Sequence, residues 1–316
     1  MGDAMHLASV RRWAPLSLIV ASLIVLAMVL TVKAQQATQV TISVSPTVFE
    51  LSANPGDTVE NSFRIINGTD QELTLSATPK NFTASGEEGA VDLTEDETSF
   101  SLASWIGVDP LQTVVPARGS QTFDFRIDVP ADAEPGGHFG SVIISTQPIA
   151  VDASGAAVSQ EAGPLILVSV AGDIQKGGQI AEFKPQKSFW ESGPVVLETR
   201  VENQGNVHFK PSGTIVIKNM FGQQVTTIDL EERNVLPGTI RKLVNEWSPG
   251  FAVGSYTADL SVVFDDGQSV ATASASFIIF PWKVILPILL GVILLVFLLV
   301  KFRRRISAAG RALAGK

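Results

Sequence analysis

The sequence predicts an all-β chain of two tandem sandwiches held between two apolar ends. Three observations predict it: period-two alternation along the middle, a weak internal repeat, and an uncharged run near each terminus. The elements follow in chain order.

Arg11 and Arg12 precede an uncharged run from Trp13 to Val32, closed by Val32-Lys33-Ala34. A basic region, an apolar region and small residues at the cleavage positions make a signal peptide. Cleavage after Ala34 assigns residues 1–34 to it. The run is also long enough to stay as a membrane anchor, and both outcomes place residues 35–280 outside.

The middle segment alternates. In Phe123-Asp124-Phe125-Arg126-Ile127-Asp128-Val129 every odd position is apolar and every even one charged. Such a strand keeps one face in a core, so Phe125 and Ile127 are expected inside, with Arg126 and Asp128 outside. Tyr256, Ala258, Leu260, Val262 and Phe264 repeat the pattern, as do Val195, Leu197 and Val201. Asp266-Gly267 is a two-residue hairpin signal between two strands. Short strands joined by Gly, Pro and Asn turns indicate antiparallel, immunoglobulin-like sandwiches.

Val115-Pro116, Gly119 and the strand from Phe123 are echoed by Leu236-Pro237-Gly238 and the strand Leu243–Trp247. Upstream, Ile65-Ile66-Asn67-Gly68 matches Val201-Glu202-Asn203-Gln204-Gly205-Asn206. This repeat divides the segment into residues 35–172 and 173–280, with the joint near the glycine cluster Gly172–Gly178. Pro148–Gly163, small and polar, is expected as a long exposed loop between the last two strands of the first sandwich. Residues 281–301 close the series as a transmembrane helix: Val284–Val300 carries no charge, and Lys301, Arg303, Arg304 and Arg305 follow. That cluster places the tail, residues 302–316, in the cytoplasm.

Charge and composition exclude several roles. Between Gln35 and Phe280 lie 13 basic and 30 acidic residues, a charge near −17. Phosphate backbones demand the opposite sign, so nucleic acid is no partner. With no cysteine there are no disulfides, thiolate metal sites or Cys nucleophiles. No H-E-x-x-H, G-x-S-x-G, G-x-G-x-x-G or P-loop occurs, and His138 and His208 read as structural or exposed residues. The expectation is therefore no enzyme, no catalytic residue, no cofactor and no metal site. Glu87-Glu88, Glu95-Asp96-Glu97 and Glu231-Glu232 read as solvated acidic loops, without the spacing of a calcium loop. Trp105, Trp190 and Trp247 have the rings to stack on sugars but are more simply sandwich residues, Phe189-Trp190 being the most loop-like. Asn67-Gly68-Thr69 and Asn81-Phe82-Thr83 are glycosylation sequons, the first already explained as a turn. Ligand-binding residues stay unknown; the loop candidates are Pro148–Gly163 and Thr83–Ser104.

Trp105-Ile106, Val115-Pro116, the stretch Val129–Gly140, Glu202-Asn203-Gln204-Gly205-Asn206, Pro211-Ser212-Gly213 and Phe221-Gly222 together resemble bacterial surface proteins of the WxL-interacting type. The layout is similar as well: signal peptide, two immunoglobulin-like domains, one C-terminal membrane helix and a basic tail. The resemblance implies adhesion without catalysis, with peptidoglycan binding by the first domain and binding of a partner or host surface by the second. The implied partners are cell-wall polymer or surface proteins, besides the lipid bilayer through the helix. The competing reading is a structural or assembly protein that pairs with other β-proteins through sheet edges; a carbohydrate-active hydrolase is a remote third.

Overall fold

The computed structural model describes residues 42–147, 149–150, 157–264 and 269–313. The signal segment and the Asp266-Gly267 turn lie outside the described residues.

The first sandwich begins with β1 (Ile42–Ser45), β2 (Val48–Ala53), β3 (Thr58–Asn67), β4 (Leu73–Ser85) and β5 (Ala90–Thr94). After a 3-10 turn at Ala103–Trp105 come β6 (Ile106–Asp109), β7 (Gln112–Val115), β8 (Ser120–Asp128) and β9 (Gly136–Thr146). Three two-residue pieces follow, β10 (Ile149–Ala150), β11 (Ala157–Val158) and β12 (Glu161–Ala162), before β13 (Leu165–Val170). One sheet runs β1-β3-β8-β6; the other runs β2-β13-β9-β4-β5, with β7 also on β4 and β12 on β9. The alternation of β8 puts Phe123, Phe125 and Ile127 wholly inside, while Arg126 and Asp128 face out. Facing them are Leu75, Val142, Ile144, Ile166 and Val168. Phe49 meets Phe125 edge-on at 5.0 Å, and Phe63 stacks on Phe123 at 5.5 Å.

The second sandwich contains β14 (Gly178–Pro185), β15 (Phe189–Trp190), β16 (Val195–Asn203), β17 (Ser212–Asn219), β18 (Gln224–Asp229), β19 (Ile240–Trp247), β20 (Gly254–Val263) and β21 (Val270–Ile279). Its sheets run β14-β16-β19 and β15-β21-β20-β17-β18. Leu197, Val201 and Leu243 pack there against Ile215, Ile217, Leu260 and Phe277. Helix α1 (Trp282–Leu313) follows, and its stretch Trp282–Lys301 is long and apolar enough to cross a membrane. Its 20 residues rise about 30 Å at ~1.5 Å each.

The sheets are not antiparallel throughout. β2 runs parallel to β13, and β15 runs parallel to β21. In each sandwich the first strand begins on one sheet (β1 on β3, β14 on β16) and crosses to the other after a short break. A strand that changes sheets keeps its direction, so it meets the last strand of its sandwich in parallel. Phe189-Trp190 is that crossing edge rather than a loop, and Trp190 is buried.

The internal repeat has a physical basis. Asn67 and Asn203 end β3 and β16, and both are fully buried. Asn203 Nδ2 donates to the carbonyls of Val207 (2.9 Å) and Val235 (2.8 Å), while its Oδ1 accepts from the Gly205 amide (2.8 Å). Asn67 Nδ2 donates to Gln71 O (2.7 Å) and Pro116 O (3.0 Å), and its Oδ1 accepts from the amide and hydroxyl of Thr69. Each Asn ties its strand to the turn before the paired strand, β8 or β19. Asn81 is buried as well, its Oδ1 accepting from the Leu102 and Ala103 amides. Neither sequon offers its nitrogen to solvent.

Candidate binding cleft between the two sandwiches

The site arises because the larger sheet of the first sandwich is apolar on both faces. Along β9 nearly every residue is buried, the mark of a strand covered from two sides. Ile166 and Val168 point into the core, whereas Phe82, Phe139 and Leu167 form a second cluster on the outer face. Leu236 of the second sandwich packs on that cluster, and the His208 ring meets Phe139 edge-on at 5.6 Å.

Polar contacts fix the junction. The Gly137 amide donates to Asn206 O at 2.8 Å, and Asn206 Nδ2 donates to Asp173 O at 3.0 Å. Gly136 has a φ of +130°, and a Cβ there would stand 2.6 Å from Asn206 O, so glycine is required twice over. Two segments that read as turns of separate sandwiches, around Gly136 and around Asn206, thus meet each other.

Thr83–Ser104 is not a free loop. Its first part is the β4–β5 hairpin, whose tip reaches the second sandwich; its last part is fastened by Asn81, with Leu102 fully buried. Glu87 is only partly solvated, whereas Glu88 stays exposed. Arg200 Nε donates to Glu87 Oε2 at 2.7 Å and Nη2 to the other oxygen, the Lys242 amide donates to Glu87 O at 2.9 Å, and Lys242 Nζ pairs with Glu88. The Arg200 hydrogen bond outweighs desolvation and holds the Glu87 carboxyl below its ordinary value. Of the other acidic runs, Glu95-Asp96-Glu97 is exposed, and Glu231 pairs with Arg233 at 2.6 Å.

Between these contacts lies a cleft of about 430 Å³. Phe82, Val91, Leu165 and Leu236 give it apolar walls. At its edge Glu50 holds Lys210 at 2.6 Å and Asn234 Nδ2 at 2.7 Å. Burial raises the Glu50 carboxyl, but the bonds from Lys210 and Asn234 overcome it and leave it below the ordinary value. Arg241 lines the cleft as well, together with Glu232 and Arg233. Its guanidinium lies over Gly89, where a Cβ would stand 1.7 Å from Nη1, and its Nε is buried with no hydrogen-bond partner among the described residues. Burial, then the like charge of Arg233, pull it below its ordinary value against Glu231 and Glu88. A half-desolvated cation in an apolar cleft attracts a carboxylate or another oxygen acceptor.

His208 follows the junction. Burial, reinforced by Lys210 and opposed by Glu50, lowers it to about 4, and its Nδ1 is buried with no hydrogen-bond partner among the described residues. The unfolded imidazole, near ~6.5, takes its proton first, so His208 contributes stability above that value and loses it as pH falls toward 4. Stability should drop by about 2 kcal/mol between pH 7 and pH 5, above the range in which carboxylates titrate. His208→Gln should remove that dependence; urea midpoints at the two pH values check it, and equal slopes in both proteins would refute the assignment.

The other singled-out residues are placed by packing. His138 is buried between Ser101 O (3.1 Å from Nδ1) and Glu134 O (2.9 Å from Nε2), with the Trp105 ring at 4.3 Å. Trp190 and Trp247 lie in the second core and present no free face to a sugar. Pro148–Gly163 does lie between β9 and β13, carrying β10 to β12; residues 148 and 151–156 are outside the described residues. Among the described residues no three His, Asp or Glu side chains gather as metal ligands. Arg241 could not be singled out from the sequence, because the hairpin it lies against, at Gly89, is distant along the chain.

Fold and cleft together define a two-domain, immunoglobulin-type β-sandwich chain with one C-terminal apolar helix. No protein-family model matches it, and no curated protein does. Among solved structures it is similar to the class 5 fimbriae chaperone CfaA, at 11% identity over 74% of this chain and 99% of that one, with a TM-score of 0.40. It is also similar to the Salmonella enterica SafA pilin in complex with the SafB chaperone (13%, 76% and 97%, 0.38). The Pseudomonas aeruginosa CupB2 chaperone is a third (12%, 74% and 100%, 0.35).

Proposed function

We propose that this chain is a non-enzymatic, membrane-anchored binding protein of the cell surface, which takes its ligand at the cleft around Arg241. The first sandwich, within residues 35–172, and the second, within 173–280, face outward on the α1 anchor, and the tail 302–316 lies in the cytoplasm. The resemblance to WxL-interacting proteins favours cell-wall polymer or another surface protein as the partner. The observation that carries the reading is Arg241 itself: its Nε has no hydrogen-bond partner among the described residues, and an acceptor on a ligand in this partly apolar cleft would relieve the cost of a half-desolvated guanidinium.

The test is capture of purified cell walls, and separately of solubilised surface proteins, by the full chain in nanodiscs. Arg241→Leu keeps the apolar stem and removes the donors. A lost charge-assisted hydrogen bond is worth about 1.5–3 kcal/mol, so affinity should fall roughly 10- to 100-fold. Unchanged capture by the variant would place the site elsewhere; capture abolished by a proline in an edge strand would favour pairing through sheet edges.

A further inference from the structure

We propose that the helix-proximal end of the second sandwich is itself a membrane-docking surface, with Phe221 and Phe251 seated in the headgroup layer of the outer leaflet. The proposal rests on the reading that α1 spans the bilayer, and goes beyond it by assigning ectodomain loops to the lipid.

Strand register brings the relevant segments to one end. Asn219 pairs with Tyr256, and Gly254 pairs with Ile279, so the turn after β17 and the loop before β20 lie level with the last residues of β21. A Cβ on Gly254 would stand 3.4 Å from Met220 Sδ, which places the two loops in contact. Only Phe280 and Pro281 separate β21 from α1. Two residues span at most about 7 Å, so a membrane-inserted helix must carry this end of the sandwich to the lipid surface.

The junction is also braced. The Phe280 amide donates to Trp190 O at 2.8 Å, Trp282 Nε1 donates to Glu191 Oε1 at 2.8 Å, and Lys283 Nζ pairs with Glu191 Oε2 at 2.6 Å. The sandwich therefore has little freedom to swing away from the helix start.

What the end displays suits the interfacial layer. Phe221 is 79% exposed, Phe251 73% and Met220 65%, and Phe280 and Trp282 are partly exposed beside them. Large side chains this bare at the tips of loops are unusual in water and apt where aromatic rings meet headgroups. Charge agrees. In a segment with 30 acids, residues 217–224, 247–256 and 278–284 contain none, and 188–195 contain only Glu191, which Lys283 neutralises. An acidic protein held at a lipid surface is repelled least where it carries no acid.

The chain has no cysteine, so single labels are unambiguous. Phe221→Cys, Phe251→Cys, Gln204→Cys at the far end and Leu289→Cys within the span would each carry an environment-sensitive fluorophore. The full chain is incorporated at one copy per nanodisc of phosphatidylcholine and phosphatidylglycerol, so that no second copy can cover the loops. The expected result is a blue shift at 221 and 251 and quenching by headgroup-region spin-labelled lipid several-fold above that at 204. Labels at 221 and 251 as wet as that at 204, with 289 buried in lipid, would overturn the docking and leave the anchor standing. Labels shielded from water yet untouched by the lipid quencher would show protein cover and overturn it too. A wet label at 289 would remove the anchor and the docking together.

Discussion

Replacing Phe125 by aspartate should unfold the first sandwich. Phe125 is 2% exposed, stands edge-on to Phe49 and lies beside Phe63 on the opposing strand. The change removes a ring from a close-packed core, a loss of about 3–5 kcal/mol, and adds a carboxyl that burial penalises by several more. Domains have only about 5–15 kcal/mol to lose. Arg126→Asp, one residue on, should cost less than about 1 kcal/mol, since the Arg126 pair with Asp128 is exposed on both sides. Urea unfolding followed by tryptophan fluorescence distinguishes the two variants. A Phe125→Asp protein as stable as Arg126→Asp would mean that β8 faces the other way.

The buried asparagines should come next in effect. Asn203→Ala removes the side-chain partner of the buried Val207 carbonyl and of the part-buried Gly205 amide, and leaves the Val235 carbonyl with the bond from the Phe209 amide at 3.3 Å. At about 1–3 kcal/mol per orphaned group, the two groups make the loss about 2–6 kcal/mol. Asn67→Ala should match it in the first sandwich, because the repeat uses the same knot. Thermal unfolding of the two variants checks both. A loss under about 1 kcal/mol at either site would show that the repeated Asn is a turn former only.

Strands that face water on one side announced themselves. β8, β16 and β20 alternate cleanly because the solvent face must be polar and the core face cannot be. The paired Asn/Gly turns were visible too, although nothing local reveals that their amides are buried. The junction was much harder to read. Glu87 and Arg200 stand 113 residues apart, and an acid in a Gly-rich turn looks solvated until the opposite guanidinium is in place. The available hint was the unbroken apolar runs Val142-Ile143-Ile144 and Leu165-Ile166-Leu167-Val168, too continuous for a sheet with one wet face. The parallel pairings escaped because period-two alternation says which face a side chain takes and nothing about the direction of the neighbouring strand.

All that is proposed for Arg241 requires the two sandwiches to be held as one body around the cleft. Ser62→Cys on β3 and Thr272→Cys on β21 place spin labels on exposed positions, one per sandwich, in a chain with no other cysteine. The distance distribution between them, measured by pulsed electron resonance on the full chain in nanodiscs at pH 7, should be a single narrow peak. Arg200→Glu, which repels Glu87, should broaden it. A broad distribution in the unaltered chain would mean that the sandwiches move independently, and the cleft would then be no preformed site.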